Sequence, residues 1–62
     1  MESELRKLYR ASFRYAVALA DCSGVSKRGR KKFINNNTSF IYNDCKKNLR
    51  LKNHVLKVYG DK

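Results

Sequence analysis

Cys22, Cys45 and His54 are the side chains best suited to nucleophilic or metal chemistry in this chain, and their spacing favours neither. A structural zinc site needs about four ligands at close spacings. Here no Cys-x-x-Cys occurs, and His54 is the single histidine. A disulfide framework in so short a chain normally uses more cysteines, so Cys22 and Cys45 read as small apolar residues in a reducing compartment. No Ser/His/Asp set, paired carboxylates or phosphate-cradling glycine loop can be assembled. The expectation is a binding or structural protein that is not an enzyme and has no catalytic residue, metal or cofactor of its own. The chemistry the chain does offer is cationic: a formal charge of +10 in 62 residues, with a run at Lys27-Arg28-Gly29-Arg30-Lys31-Lys32. The excess is spread over both halves of the chain. It attracts acidic partners, whether RNA, an anionic membrane or an acidic protein, and does not choose among them.

The elements that would carry these charges read as helices, since the chain has no proline to interrupt them. Leu5, Leu8, Tyr9, Ser12, Phe13, Ala16, Val17 and Ala20 recur at alternating spacings of three and one, a helical stripe, with Arg6, Lys7, Arg10 and Arg14 on the opposite surface. Ser3 suits the N-cap, Glu4 the first turn, and Gly24 the left-handed position after the last turn. The first helix is therefore expected over 4–22. Ser26 could cap a short second helix over 26–36, weakened by Gly29 by about 1 kcal/mol relative to alanine. Asn35-Asn36-Asn37-Thr38 has turn composition. Thr38 would then cap a third helix over 39–59, where Phe40, Ile41, Tyr42, Cys45, Leu49, Val55, Leu56 and Tyr59 lie on or beside a second stripe and Gly60 fits its end.

Together these give one all-α domain over 1–62, an antiparallel three-helix bundle. Its expected core is Leu5, Leu8, Tyr9, Phe13, Val17, Phe33, Ile41, Cys45, Leu49, Leu56 and Tyr59, a thin one for the entropy of ordering the chain. No apolar run approaches the ~20 residues of a membrane span. The first helix is amphipathic and basic, like a mitochondrial targeting segment, with Glu2 and Glu4 against that reading. The chain is too short to lose the segment and still fold, so any targeting is expected to be uncleaved.

Leu8-Tyr9-Arg10 followed by Phe13-Arg14 resembles the signature of the LYR-motif family. Members of that family also carry an Arg three residues before a Phe and an Asn three after it, at the end of the second helix; Arg30, Phe33 and Asn36 match. Within the family, the members that stabilise a mitochondrial cysteine desulfurase are most similar. In their third helix, Ala-Lys-x-x-Leu, further basic residues and a tyrosine shortly before Asp-Lys correspond to Cys45-Lys46-Lys47-Asn48-Leu49, Lys52 and Tyr59-Gly60-Asp61-Lys62, with small deletions. The resemblance implies a non-catalytic adaptor in iron–sulfur cluster assembly, in the matrix of a mitochondrion or a related organelle. Its partners would be a cysteine desulfurase and an acyl carrier protein, whose acyl-4′-phosphopantetheine would enter the bundle. By motif position, Leu8, Tyr9, Phe13, Phe33 and Asn36 would line the contact, while Arg10, Arg14 and Arg30, with Lys31 and Lys32 behind them, would meet acidic groups and phosphate.

Plainer readings stand beside this one. Tyr9 and Phe33 fall on apolar stripes, where a core accounts for them, and a basic helix face is often only solvated. The run Lys27–Lys32 suits an RNA backbone as well as a protein. A respiratory-complex subunit or its assembly factor, a mitoribosome assembly adaptor, or a small basic RNA-binding or ribosomal protein are the alternatives. Burial of the aromatics in a folded core would count against base stacking and hence against RNA.

Overall fold

The computed structural model describes residues 3–60. Three helices, α1 (Glu4–Ser23), α2 (Lys27–Lys47) and α3 (Leu49–Tyr59), account for nearly all of them, with no strand among the described residues. The class is the expected one, an all-α three-helix bundle. The helix boundaries after the first are different.

Both ends of α1 follow from local chemistry. The Ser3 hydroxyl accepts from the Arg6 amide at 3.2 Å, satisfying a donor that the first turn leaves open. Gly24 adopts φ 64° and ψ 34°, the left-handed conformation that glycine takes without a Cβ penalty, and its amide returns to the Ala20 carbonyl.

The turn expected at Asn35-Asn36-Asn37-Thr38 does not exist, and Thr38 caps nothing. α2 runs straight through this segment, so neither a helix over 26–36 nor one over 39–59 forms. Two side chains expected to break the helix bond back into it: Asn37 donates to the Phe33 carbonyl at 2.8 Å and Thr38 to the Ile34 carbonyl at 2.6 Å. Three asparagines in a helix cost roughly 2 kcal/mol relative to alanine. Burying Ile34 and Cys45 on the face that also buries Thr38 offsets this, at about 1.5–3 kcal/mol for a large apolar side chain. The true break is Asn48, whose backbone is extended at φ −124° and ψ 105°. Its amide donates to the Asp44 carbonyl at 2.9 Å. Its Oδ1 accepts from the amides of Arg50 and Leu51 at 3.1 and 3.3 Å. One residue thus ends α2 and caps α3. Ser26 occupies the N-cap position of α2 but makes no side-chain cap bond, and Gly60 ends α3 in a right-handed conformation.

The core is built of small side chains. Leu8, Ala11, Ser12, Ala16 and Ala20 of α1 are buried against Ile34, Thr38 and Cys45 of α2 and Val55 of α3. One cluster joins Ala16, Ala20 and Ile34; the other joins Leu8, Ala11, Cys45 and Val55; half-buried Ile41 packs on both. Ser12 and Thr38 lie between the clusters along their helices. The Ser12 hydroxyl donates to the Leu8 carbonyl at 2.8 Å, so no buried side-chain polar atom among the described residues lacks a partner. Four residues expected in the core are instead exposed: Leu5 at 54%, Tyr9 at 48%, Phe13 at 45% and Leu49 at 68%. With alanine and serine on the inward face of α1, α2 seats too closely to admit larger side chains at the margins of that face. Val17, Phe33, Leu56 and Tyr59 are half-buried, packed around the clusters.

α3 runs alongside α1 in the same direction. Near its start, Lys52 pairs with Glu4 at 2.6 Å; at its end, Arg14 Nη1 donates to the Tyr59 carbonyl at 3.0 Å, and the rings of Tyr15 and Tyr59 lie 5.1 Å apart. The turn between α2 and α3 therefore sits at the amino-terminal end of α1. The Glu4 carboxyl is held below its ordinary range, first by the hydrogen bond from Lys52 and then by that ammonium's charge.

Two substitutions test this arrangement by chemical denaturation. Asn36→Ala, exposed in mid-helix, should stabilise the protein by up to about 0.7 kcal/mol; a turn at this position would make it neutral or harmful. Ala16→Leu, which overfills the α1–α2 seam, should destabilise it by about 1–3 kcal/mol.

Candidate functional site

Lys27, Arg30, Lys31, Ile34 and Asn35 recur on α2 at spacings of three and four, so they share one side of the helix. Opposite them, α1 contributes Phe13. Together they line an open groove of about 380 Å³. Ile34, 8% exposed, belongs to the core and forms the floor, and half-exposed Phe13 forms one wall. The rim is cationic. Arg30 Nη1 lies 2.7 Å from Asp21 Oδ1 across the α1–α2 seam, so its guanidinium is already oriented by a carboxylate. Lys27 and Lys31 are exposed. An apolar floor within a rim of ammonium and guanidinium groups can hold an anionic ligand with an apolar portion; it offers no nucleophile–base pair.

The candidate residues separate into distinct places. Phe13, Arg30 and Lys31 meet in the groove. Leu8 is buried in the core. Tyr9 stands further along α1, its ring 5.4 Å from that of Tyr42 and edge-on to it, with Lys46 Nζ 5.2 Å from the Tyr42 centroid. Arg10 is exposed on α1. Arg14 reaches the carboxyl end of α3 and ties it to α1. Lys32 is exposed outside the groove lining. Phe33 packs beside Ala16, Ala20 and Ile34. Asn36 lines a second depression, of about 270 Å³, with Ser39, Phe40, Asn43, Asp44 and Lys47. Arg30, Phe33 and Asn36 therefore do not converge. A step of three residues falls short of a helical turn, so each swings further round α2.

Lys27, Ile34 and Asn35 were missed as groove residues. Their signal was the helical spacing from Lys27 to Asn35, hidden by reading Asn35 as the start of a turn. Among the described residues, no three of His, Cys, Asp and Glu converge to hold a metal ion, and no helix is long and apolar enough to cross a membrane.

The two thiols differ sharply. Cys22 is exposed and Cys45 buried, and both are free. Burial, and then the nearby Asp44 carboxylate, push the Cys45 thiol above its ordinary range. Iodoacetamide at neutral pH should add one label quickly, at Cys22 by peptide mass mapping. The second should appear only in denaturant, because the thiolate is the reactive form and needs access.

Compared with known proteins, the chain matches no family model, no curated protein and no solved structure.

Proposed function

We propose that this protein is a non-catalytic adaptor of the LYR type, which binds and stabilises a mitochondrial cysteine desulfurase together with an acyl carrier protein during iron–sulfur cluster assembly. The observation that carries the reading is the groove: Phe13 and Ile34 as apolar surface, ringed by Lys27, Arg30 and Lys31. An acidic carrier protein presents carboxylates, a phosphate and an acyl chain, and the groove offers a counterpart to each. The cations steer and orient the acidic surface. Arg30 can exchange Asp21 for a phosphate, which its planar fork meets with two bonds. Each acyl methylene placed against Phe13 and Ile34 contributes about 0.8 kcal/mol. The closely seated α1–α2 core directs that chain along the surface groove, unless the helices part. Phe40, 71% exposed beside the second depression, supplies apolar surface for the enzyme on a separate face.

The choice of a desulfurase over a respiratory complex or mitoribosome as client rests on the sequence likeness at Cys45–Leu49, Lys52 and Tyr59, residues that lie at the end of α2, in its break at Asn48 and along α3. A second reading, RNA binding, gains from one observation: Tyr9 and Phe13 are half-exposed among basic residues rather than hidden in the core, so they are available to stack on bases.

Co-expression of the chain with a cysteine desulfurase and an acyl carrier protein should yield a soluble complex whose intact mass includes an acylated phosphopantetheine. Lys31→Glu combined with Phe13→Ser should remove the carrier while the bundle stays folded by circular dichroism. Three proteins that always purify apart would sink the proposal, and tight, steeply salt-dependent RNA binding by the pure chain would replace it with the second reading.

A further inference from the structure

The largest exposed aliphatic side chains do not belong to the groove. Leu5 is 54% and Leu49 68% exposed, and neither lines either depression. The antiparallel register of α1 and α2 brings them to the same level. Ala20 clusters with Ile34, and further along the pair Leu8 clusters with Cys45. One turn beyond Leu8 on α1 is Leu5, and Leu49 opens α3 just past Asn48, where α2 has ended. The Lys52–Glu4 ion pair, three residues after Leu49 and one before Leu5, fixes that end of the bundle. Tyr9, with its ring against Tyr42, is the next turn along from Leu5.

The surroundings are basic. Arg6 adjoins Leu5, and Lys46, Lys47 and Arg50 flank Leu49, all exposed. The acidic residues described at this end are Glu4, which Lys52 engages, and Asp44, which shares a depression with Lys47. α1 also directs its positive dipole end this way.

We infer that this end of the bundle docks peripherally on an anionic lipid bilayer, with Leu5 and Leu49 entering the interface and the basic side chains meeting the headgroups. The chemistry selects this occupant. An amphipathic partner helix seeks a groove, whereas these leucines stand at a helix start and an interhelical turn. Single-stranded RNA needs planar stacking surfaces, which leucine lacks. A bilayer interface accepts separate apolar side chains within a basic surround, and a half-exposed tyrosine one turn away suits the headgroup level. The inference goes beyond the proposed adaptor role and uses the opposite end of the α1–α2 pair from the groove.

Sedimentation of the full chain with vesicles tests it. The protein should pellet with phosphatidylcholine vesicles that contain phosphatidylglycerol and stay in solution with phosphatidylcholine alone. Leu5→Ser with Leu49→Ser should weaken anionic-vesicle binding by about tenfold, with the helical spectrum unchanged because both side chains are exposed. Phe13→Ser should leave vesicle binding intact. Absence of pelleting with anionic vesicles, equal pelleting with neutral ones, or a leucine double variant that binds as well as the parent would each overturn the inference. So would a single-stranded RNA oligonucleotide whose binding the leucine variant weakens equally, since that assigns this end to nucleic acid.

Discussion

The close seating of α2 on α1 governs the rest of the molecule. Ala11, Ser12, Ala16 and Ala20 give α1 an inward face with little volume, and Ile34, Thr38 and Cys45 answer it from α2. Helices meeting through small side chains gain dispersion contacts between backbones but bury little apolar area per residue. The seam then excludes whatever is too large for it. Leu5, Tyr9 and Phe13 repeat every four residues along α1 at the edge of that face, and all three are left half-exposed. The apolar surface available to partners is therefore a direct consequence of how the core is packed.

α2 shows how tertiary contact overrides local propensity. Asparagine and threonine favour turns because their side chains compete for backbone groups. In α2 the competition is turned inward: Asn37 and Thr38 bond to carbonyls one turn back, inside the helix. Ser12 does the same in α1. The two buried hydroxyls then need no partner across the seam, and its register rests on shape together with the Arg30–Asp21 pair at its edge. Asn48 acts differently because no apolar neighbour draws it inward. Exposed between α2 and α3, it keeps an extended backbone and caps both helices.

These contrasts explain what could be read from the sequence. α1 was legible to within a residue because Ser3, the apolar stripe and Gly24 all agree. The division of the remaining chain was not, because Asn35-Asn36-Asn37-Thr38 carries a stronger turn signal than the single Asn48, and only burial at Ile34, Thr38 and Cys45 reverses their order. The groove was half legible. Phe13, Arg30 and Lys31 emerged from motif positions, while Lys27, Ile34 and Asn35 required α2 to be continuous. Core membership was least legible. Periodicity identifies which residues share a side, but which of them are buried depends on interhelical distance, and alanine and serine decide that distance here.

The first turns of α2 carry charge that opposes the helix. Lys27, Arg28 and Arg30 sit where the helix dipole is positive, no acidic residue stands in the first turn, and Ser26 makes no side-chain cap bond. Asp21 answers Arg30 from α1, but that exposed pair contributes about 0–1 kcal/mol. Ile34 is the sole buried residue of α2 ahead of Thr38. This half of the helix is thus held by few contacts against its own charge, and it carries five of the six groove-lining residues. An anionic ligand in the groove would relieve the repulsion and add apolar contact at Ile34. It would bind the formed helix far better than the frayed one and stabilise it by mass action, by about 2.7 kcal/mol at a hundredfold excess over the dissociation constant. The charge that weakens the free chain is the charge that makes its folding responsive to an acidic partner.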